Sequence, residues 1–299
     1  MMTITIRLQS VLYDNDKAAI RKAVLSMSNA ADCYRAKGHS LECILSYGDA
    51  SDSPLYSDKE ILDLKAECPG LTDIRYTFFH ENTGTARGHN LLAADCSADY
   101  ILLMNPDIIL CPDFFEEILR PFTAPSCGAA EGRQVPVEHP KDYDRHSFET
   151  AWTSGACTFI RTDVFRKVGG YDDKNFYMYC DDVDLSLRVR LAGFKLIYCP
   201  RAMVLHSKTP GPNGMSVPSS VEKYGSSLAN LILSVKYAHP EKTKHFLELY
   251  SASPDPELRK AAEDFLKMKE EGRLPQPIDP EHAVSVYCGD SYAVHRFIL

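Results

Sequence analysis

The run Tyr100-Ile-Leu-Leu-Met104 is apolar throughout, closed by Asp99 on one side and by Asn105-Pro106-Asp107 on the other. Its length suits a strand, and apolar side chains pointing both ways demand cover on both faces of a sheet. Such a strand belongs inside a layered α/β fold. It then stops at a proline and delivers Asp107 to its carboxyl end, the edge at which open α/β sheets bind ligands. Taken alone, a carboxylate beside a turn proline reads equally as a turn residue.

The flanking chain has the alternation that such a strand needs. Thr3 to Leu12 reads as a strand, followed by a helix for which Asp16 is the expected cap. Leu41 to Tyr47 is a second strand, ending in the turn-rich loop Gly48-Asp-Ala-Ser-Asp-Ser-Pro54. A short helix (57–66), a third strand (73–79) and a helix opened by residues 81–90 lead into the central strand. This order implies a largely parallel sheet with helices on both faces. Gly84 and Gly88 do not make a dinucleotide fingerprint or a phosphate loop. Gly88 is expected to let its helix lie close to the sheet, with Asn90 tying down a neighbouring loop.

Residues 121–150 read as irregular and polar, and the piece from Gly132 to Tyr143 reads as part of a binding wall, because loops of that length are rarely idle. A strand over 152–160, a helical turn at 163–168 and a helix ending at Gly193 follow. That helix opens on Asp181, Asp182 and Asp184, where its dipole favours ionised carboxylates. Two apolar runs, 195–200 and 202–206, read as strands, and the second ends in His206. A flexible loop is expected over 207–220, then three helices near 221–235, 241–251 and 255–271. The implied domains are 1–215 and a helical C-terminal extension, 216–299.

Composition narrows the function. A formal charge of −8 argues against a nucleic-acid partner, although a metal ion could carry the charge of a nucleotide locally. None of the ten cysteines forms a CxxC pair or zinc-finger spacing, and Cys43, Cys157 and Cys199 lie in apolar runs. No signal pattern opens the chain and no apolar run is long enough to span a membrane. The expected location is cytoplasmic, with at most a peripheral contact at the inner face of the membrane.

Separate strand and helix ends thus offer Asp107, the Asp181/Asp182 pair and His206. Asp107 and His206 suit Mg²⁺ or Mn²⁺ with phosphate oxygens completing the shell. A carboxylate at a helix start could take a proton from a hydroxyl. Together they make a kit for displacing a diphosphate leaving group. Singly, His206 reads as a core or edge histidine and the aspartates as surface charges.

The order Asn82-x-Gly84, Asn105-Pro-Asp107, Ser154-Gly-Ala, Val168-Gly-Gly-Tyr-Asp172, Tyr179-x-Asp-Asp-Val-Asp-Leu185, Arg188, Gly193 and His206 resembles the family 2 glycosyltransferases of the GT-A fold, in their rhamnosyltransferase-like branch. The resemblance covers about residues 3 to 210. It implies an inverting, metal-dependent transfer of a sugar from a nucleotide-diphosphate donor, dTDP-rhamnose or a UDP-sugar, to a glycan or lipid-linked acceptor in polysaccharide synthesis. Asp107 stands at the second carboxylate of the family's DxD metal motif, with Asn105 in place of the first, and His206 at a histidine that closes the metal shell. Asp182 stands at the general base, and Asp181 where glutamate is usual. Asp49 stands where the family contacts the nucleoside, and Asn82 and Arg87 join Asn105 and Asp107 on the donor side. Arg133, Trp152, Tyr179 and Asp181 are the expected acceptor or pocket wall. The C-terminal helices are expected to add an acceptor-side wall and a homodimer contact. A catalytically idle sugar-nucleotide-binding scaffold and a nucleotidyltransferase are the competing readings.

Overall fold

The computed structural model describes residues 3–208, 210–211 and 217–296. Strands β1 (Ile4–Leu12), β2 (Leu41–Asp49), β3 (Asp73–Phe78) and β4 (Tyr100–Met104) alternate with helices α1 (Lys17–Ala36), α2 (Asp58–Glu67) and α3 (Gly84–Ala93). Beyond β4 come β5 (Ile109–Leu110), α4 (Phe114–Leu119), β6 (Cys127–Val135), β7 (Cys157–Arg161), α5 (Thr162–Lys167), α6 (Asp181–Leu191) and β8 (Lys195–Leu205). Local chemistry starts the helices as expected. The Asp16 carboxylate accepts from the amides of Ala18 and Ala19, and Ser57 with Glu60 forms a reciprocal capping box on α2.

One sheet holds all eight strands in the order β3-β2-β1-β4-β7-β6-β8-β5. The first four are parallel, β7 runs antiparallel to β4 and β6, and β8 lies parallel to β6. The sheet is therefore mixed rather than largely parallel: four parallel strands come first, and β7 is inserted antiparallel between them and the parallel pair β6/β8. β4 is its pivot and is covered twice. Leu102 and Met104 pack with Val24, Leu45 and Phe115 on one face, while Ile101 and Leu103 pack with Ala86, Val164 and Val189 on the other. Each such fully buried side chain contributes about 1.5–3 kcal/mol. Gly88 permits that close packing, because a Cβ there would meet Val11 at 2.6 Å.

Three local expectations change. Residues 127–135, read as irregular, form strand β6. Its Gly-Ala-Ala segment has little intrinsic strand preference, and pairing on both sides decides its conformation. The two runs at 195–206 are one strand. Pro200 is tolerated because the pairing with β6 skips there, from Gly132↔Cys199 to Arg133↔Met203. The expected strand at 152–160 begins only at Cys157, and Trp152–Ala156 forms a turn above it.

Helices α7 (Ser220–Lys236), α8 (Pro240–Ser251) and α9 (Pro256–Glu270) pack on one another. Their apolar faces share a cluster with Trp152, Phe176, Val183 and Leu187, so the extension docks against α6. The boundary at 215/216 lies outside the described residues, as does much of the expected loop at 207–220. No helix of the described residues is long and apolar enough to cross a membrane. All ten cysteines are unpaired, and Cys43, Cys157 and Cys199 are buried.

Candidate functional site

A cleft of about 540 Å³ opens at the carboxyl ends of β1 and β4 and runs to the start of α6. Asn105, Trp152, Tyr179, Asp181, Asp182 and His206 all line it, although up to about a hundred residues separate them in sequence. Asp107 stands at its side, with its carboxylate 3.8 Å from His206 Nε2.

The histidine is oriented from behind. Gln134 Oε1 can only accept, so at 3.1 Å the His206 Nδ1–H donates to it. The Nε2 lone pair is then left facing Asn105, 3.2 Å away, and Asp107. Burial pushes the imidazole pKa down despite the nearby Asp107, so the ring is neutral at physiological pH. A neutral, back-bonded imidazole beside a carboxylate is a donor set that fits Mn²⁺ or Mg²⁺. Among the described residues no group of three or more His, Cys, Asp or Glu side chains could hold a metal alone.

On the opposite wall the backbone is strained. Tyr179 and Cys180 both take left-handed conformations, φ 69° and 53°, at a cost of about 1–3 kcal/mol each. The bend turns α6 so that its first two residues face the cleft. Asp181 accepts a hydrogen bond from Thr85 Oγ1 at 2.9 Å, tying α6 to α3. Asp182 accepts from the Gly155 amide at 2.8 Å. The dipole was expected to keep these acids readily ionised, but desolvation outweighs it. Burial, with the charge of Asp182, pushes Asp181 up to about 7. Burial raises Asp182 as well, against the Gly155 amide and the Lys141 ammonium, which lower it. The third acid differs altogether. Asp184, expected at the surface, is fully buried and paired with Arg188 at 2.7 Å and Lys236 at 2.5 Å.

The remaining candidates sit around this centre. Asp49 ends β2 fully buried, and its carboxylate accepts from the Ser51 and Leu55 amides and from the Ser51 and Tyr76 hydroxyls. Asn82 Oδ1 accepts from the Gly84 amide and the Tyr177 hydroxyl, which clasps the α3 start to the loop before α6. Gly84 is required there, since a Cβ would meet the Tyr177 carbonyl at 2.4 Å. Asn90 exchanges 2.8 Å hydrogen bonds with the backbone of Tyr171, as expected. Arg87 pairs with Glu81 at 2.7 Å and Arg133 is exposed; neither lines the cleft.

Several contributors escaped the sequence reading. Gln134 orients His206 from the unrecognised strand β6, and the Gly155 amide comes from a turn read as strand. Lys208 lines the cleft two residues beyond His206, a spacing that could have flagged it. The 132–143 piece supplies Lys141, buried 2.6 Å from Glu131 and 3.7 Å above the Trp152 ring. Tyr292 reaches the cleft from the C-terminal tail, with its hydroxyl 3.2 Å from Cys180 Sγ, and no local pattern announces it.

Residues 139–217 match the family model described as "Glycosyltransferase like family 2". An N-acetylglucosaminyl-diphospho-decaprenol L-rhamnosyltransferase from Mycobacterium tuberculosis (strain CDC 1551 / Oshkosh) is 46% identical over 57 residues, 19% of this chain and 18% of that one. The rhamnosyltransferase WbbL of Escherichia coli (strain K12) is 30% identical over 138 residues, 36% of this chain and 52% of that one. The chain therefore spans between about a fifth and about half of the length of these relatives. Among solved structures, the mannosyltransferase PcManGT from Pyrobaculum calidifontis, in complex with GDP-Man and Mn²⁺, superposes with a TM-score of 0.57 at 15% identity. That likeness covers 89% of this chain and 75% of the other. The mixed sheet and its flanking helices are those of the GT-A fold, and over part of its length the chain is similar to family 2 glycosyltransferases, rhamnosyltransferases among them.

Proposed function

We propose that this protein is an inverting glycosyltransferase. It moves a sugar from a nucleotide-diphosphate donor, dTDP-rhamnose or a UDP-sugar, to a hydroxyl of a glycan or lipid-linked acceptor in cell-surface polysaccharide synthesis. The observation that carries the reading is the convergence of two dissimilar groups on one cleft. His206 and Asn105 face it from the strand ends, with Asp107 at its side 3.8 Å from the imidazole, and Asp182 faces it from the start of α6. A scaffold or binding module needs neither the back-bonded imidazole nor the strained turn that aims the acid.

Each part has a role set by its chemistry. Asp107 and His206 would hold Mn²⁺ or Mg²⁺, which when bound neutralises the diphosphate as a leaving group. Lys208 adds a cation on the same side. Asp49 and Asn82 hold the β2 loop and the α3 start that border the donor. The acceptor oxygen attacks the anomeric carbon, its proton passes to the Asp182 carboxylate, and the bond to the diphosphate breaks. Thr85 and the Gly155 amide position the acids, and Trp152 and Tyr179 form the acceptor wall.

Calorimetric titration of nucleotide diphosphate in the presence of Mn²⁺ tests the donor side. The expected outcome is metal-dependent binding that Asp107→Asn abolishes and His206→Ala weakens less, because water can replace one neutral ligand. Unchanged binding in Asp107→Asn would overturn the assignment. Transfer assays with a panel of sugar nucleotides then separate a transferase from an idle scaffold or a nucleotidyltransferase.

A further inference from the structure

Beside the cleft lies a second cavity of about 200 Å³. The two share His139, Trp152 and Tyr292 as a common wall, so the smaller one is a side pocket of the larger. Its floor comes from the 132–143 piece, and its roof is the C-terminal tail from Asp290 to His295.

The tail is tied down on that piece by main-chain and ionic bonds. The Asp142 amide donates to the Val294 carbonyl at 2.8 Å, and Lys141 and His295 form a β-bridge. Arg296 pairs with Glu138 at 2.6 Å. Closer to the acids, the Tyr292 hydroxyl meets Cys180 Sγ, immediately before Asp181. Two segments that the fold itself does not require thus enclose one small space beside the proposed base.

The lining identifies the class of ligand. Trp152 and Tyr292 offer flat apolar surfaces, while Ser291, Asp290 and the His139 imidazole offer short hydrogen-bonding groups. His139 is neutral, because burial and the nearby Lys141 push its pKa down to about 3. The Lys141 ammonium, 3.7 Å over the indole ring, is already matched by Glu131. Asp290 is met from outside the pocket by Lys242 at 3.4 Å and His245 at 3.1 Å, so the wall presents no unmatched cation to select an anion. Apolar faces bordered by hydrogen-bonding groups suit a pyranose ring, with its C–H faces and hydroxyl rim. A site this small, below the ~300–1,000 Å³ of drug-sized ligands, takes one ring and not a chain.

We propose that this side pocket binds the acceptor's terminal monosaccharide, with the C-terminal tail as its roof and specificity element. The proposal rests on the transferase reading for the word acceptor, but the sugar site can be tested apart from it. The shared wall residue Trp152 leads within three residues to Gly155, whose amide bonds Asp182, so the pocket adjoins the cleft on the side of the proposed base.

Trp152 is the single tryptophan of the chain, so its fluorescence reports on this wall alone. The protein is titrated with octyl glucoside, galactoside, N-acetylglucosaminide and rhamnoside below their micelle concentrations, with Mn²⁺ and dTDP present. A saturable change in emission with at least one glycoside is expected. Ala293→Phe and Ser291→Phe each place a ring in the pocket and should weaken that response by about tenfold or more. Thermal melts of both variants check the fold. If no glycoside perturbs Trp152, or if both folded variants respond like the wild type, the pocket is not a sugar site. Calorimetry of Mn²⁺ and dTDP on the same samples separates the two ideas. Nucleotide binding without a sugar response overturns the pocket alone, and a sugar response without nucleotide binding overturns the transferase reading alone.

Discussion

Asp182 and Asp184 lie two residues apart on α6, yet they inhabit opposite environments. Asp182 faces the cleft, and its direct contacts there are amides: Gly155 and its own neighbour Val183. Asp184 faces the C-terminal helices and is held by Arg188, Lys236 and the Tyr237 hydroxyl. Lys236 bonds Asp172 as well, at 2.6 Å, so one buried cation joins α7 to two carboxylates of the first domain. Helical spacing turns consecutive acids to different sides. Charge pairing is direct where the C-terminal helices dock, whereas Asp182 has only amides in direct contact.

The largest expected effect breaks the cleft side of this contrast. Asp182→Asn keeps the shape of the side chain but removes the base, and general-base help is typically worth on the order of a hundred- to ten-thousand-fold in rate. Transfer should fall by that order, while nucleotide affinity and melting temperature stay close to the wild type. Loss of nucleotide affinity together with rate would instead make Asp182 a donor contact. Near-normal transfer would make it a structural residue.

Breaking the docking side should do the reverse. Lys236→Met leaves Asp184 and Asp172 buried without their shared cation, and breaking one partner of a buried pair costs about 3–5 kcal/mol. Denaturant unfolding should register that loss, with nucleotide affinity preserved under conditions where the variant stays folded. The effect also has a pH sign. Burial pushes Asp172 up, but Lys236 and Asn175 more than offset it, so its folded pKa lies below the ordinary carboxylate value. Its contribution is therefore present above the unfolded pKa and lost as pH falls through the folded one. The stability gap between wild type and Lys236→Met should accordingly narrow in acid.

The contrast was only half legible in the sequence. The central strand, the meeting of Asn105 and His206 in one cleft and the paired acids could be read because each sits at a strand or helix end with a local signature. Gly88 and Asn90 were legible too, one as a close approach and the other as a tie. What could not be read depends on long-range pairing. β6 has no strand-like composition, so Gln134 behind His206 was invisible. Helical spacing puts Asp184 on a different side from Asp182, but its burial against Lys236 and Tyr237 depends on the packing of α7 against α6. Lys141 looked like one more polar residue of a loop, and Tyr292 lies more than a hundred residues from the acids it approaches.

The smallest expected effect concerns that loop lysine and the charge state of the base. Asp182 is raised by burial and held back by two opposing influences, the Gly155 amide and the Lys141 ammonium. Burial also pushes Lys141 down, against Glu131 at 2.6 Å and the Asp182 charge, which favour its ammonium form. Lys141→Met removes the positive charge and leaves burial unopposed on that side, so the Asp182 pKa must rise. Because the base acts only when ionised, the acid limb of the transfer-rate profile should move to higher pH, with the high-pH rate changed little. Lys141→Arg keeps the cation and should restore the limb if the guanidinium fits beneath the tail. Glu131 loses its partner in Lys141→Met, so some stability falls as well, and a melt measured beside the rate profile separates the two. A uniform drop in rate at every pH would point to packing against Trp152 instead. A shifted limb, rescued by arginine, would show that the 132–143 piece tunes the base from behind the indole.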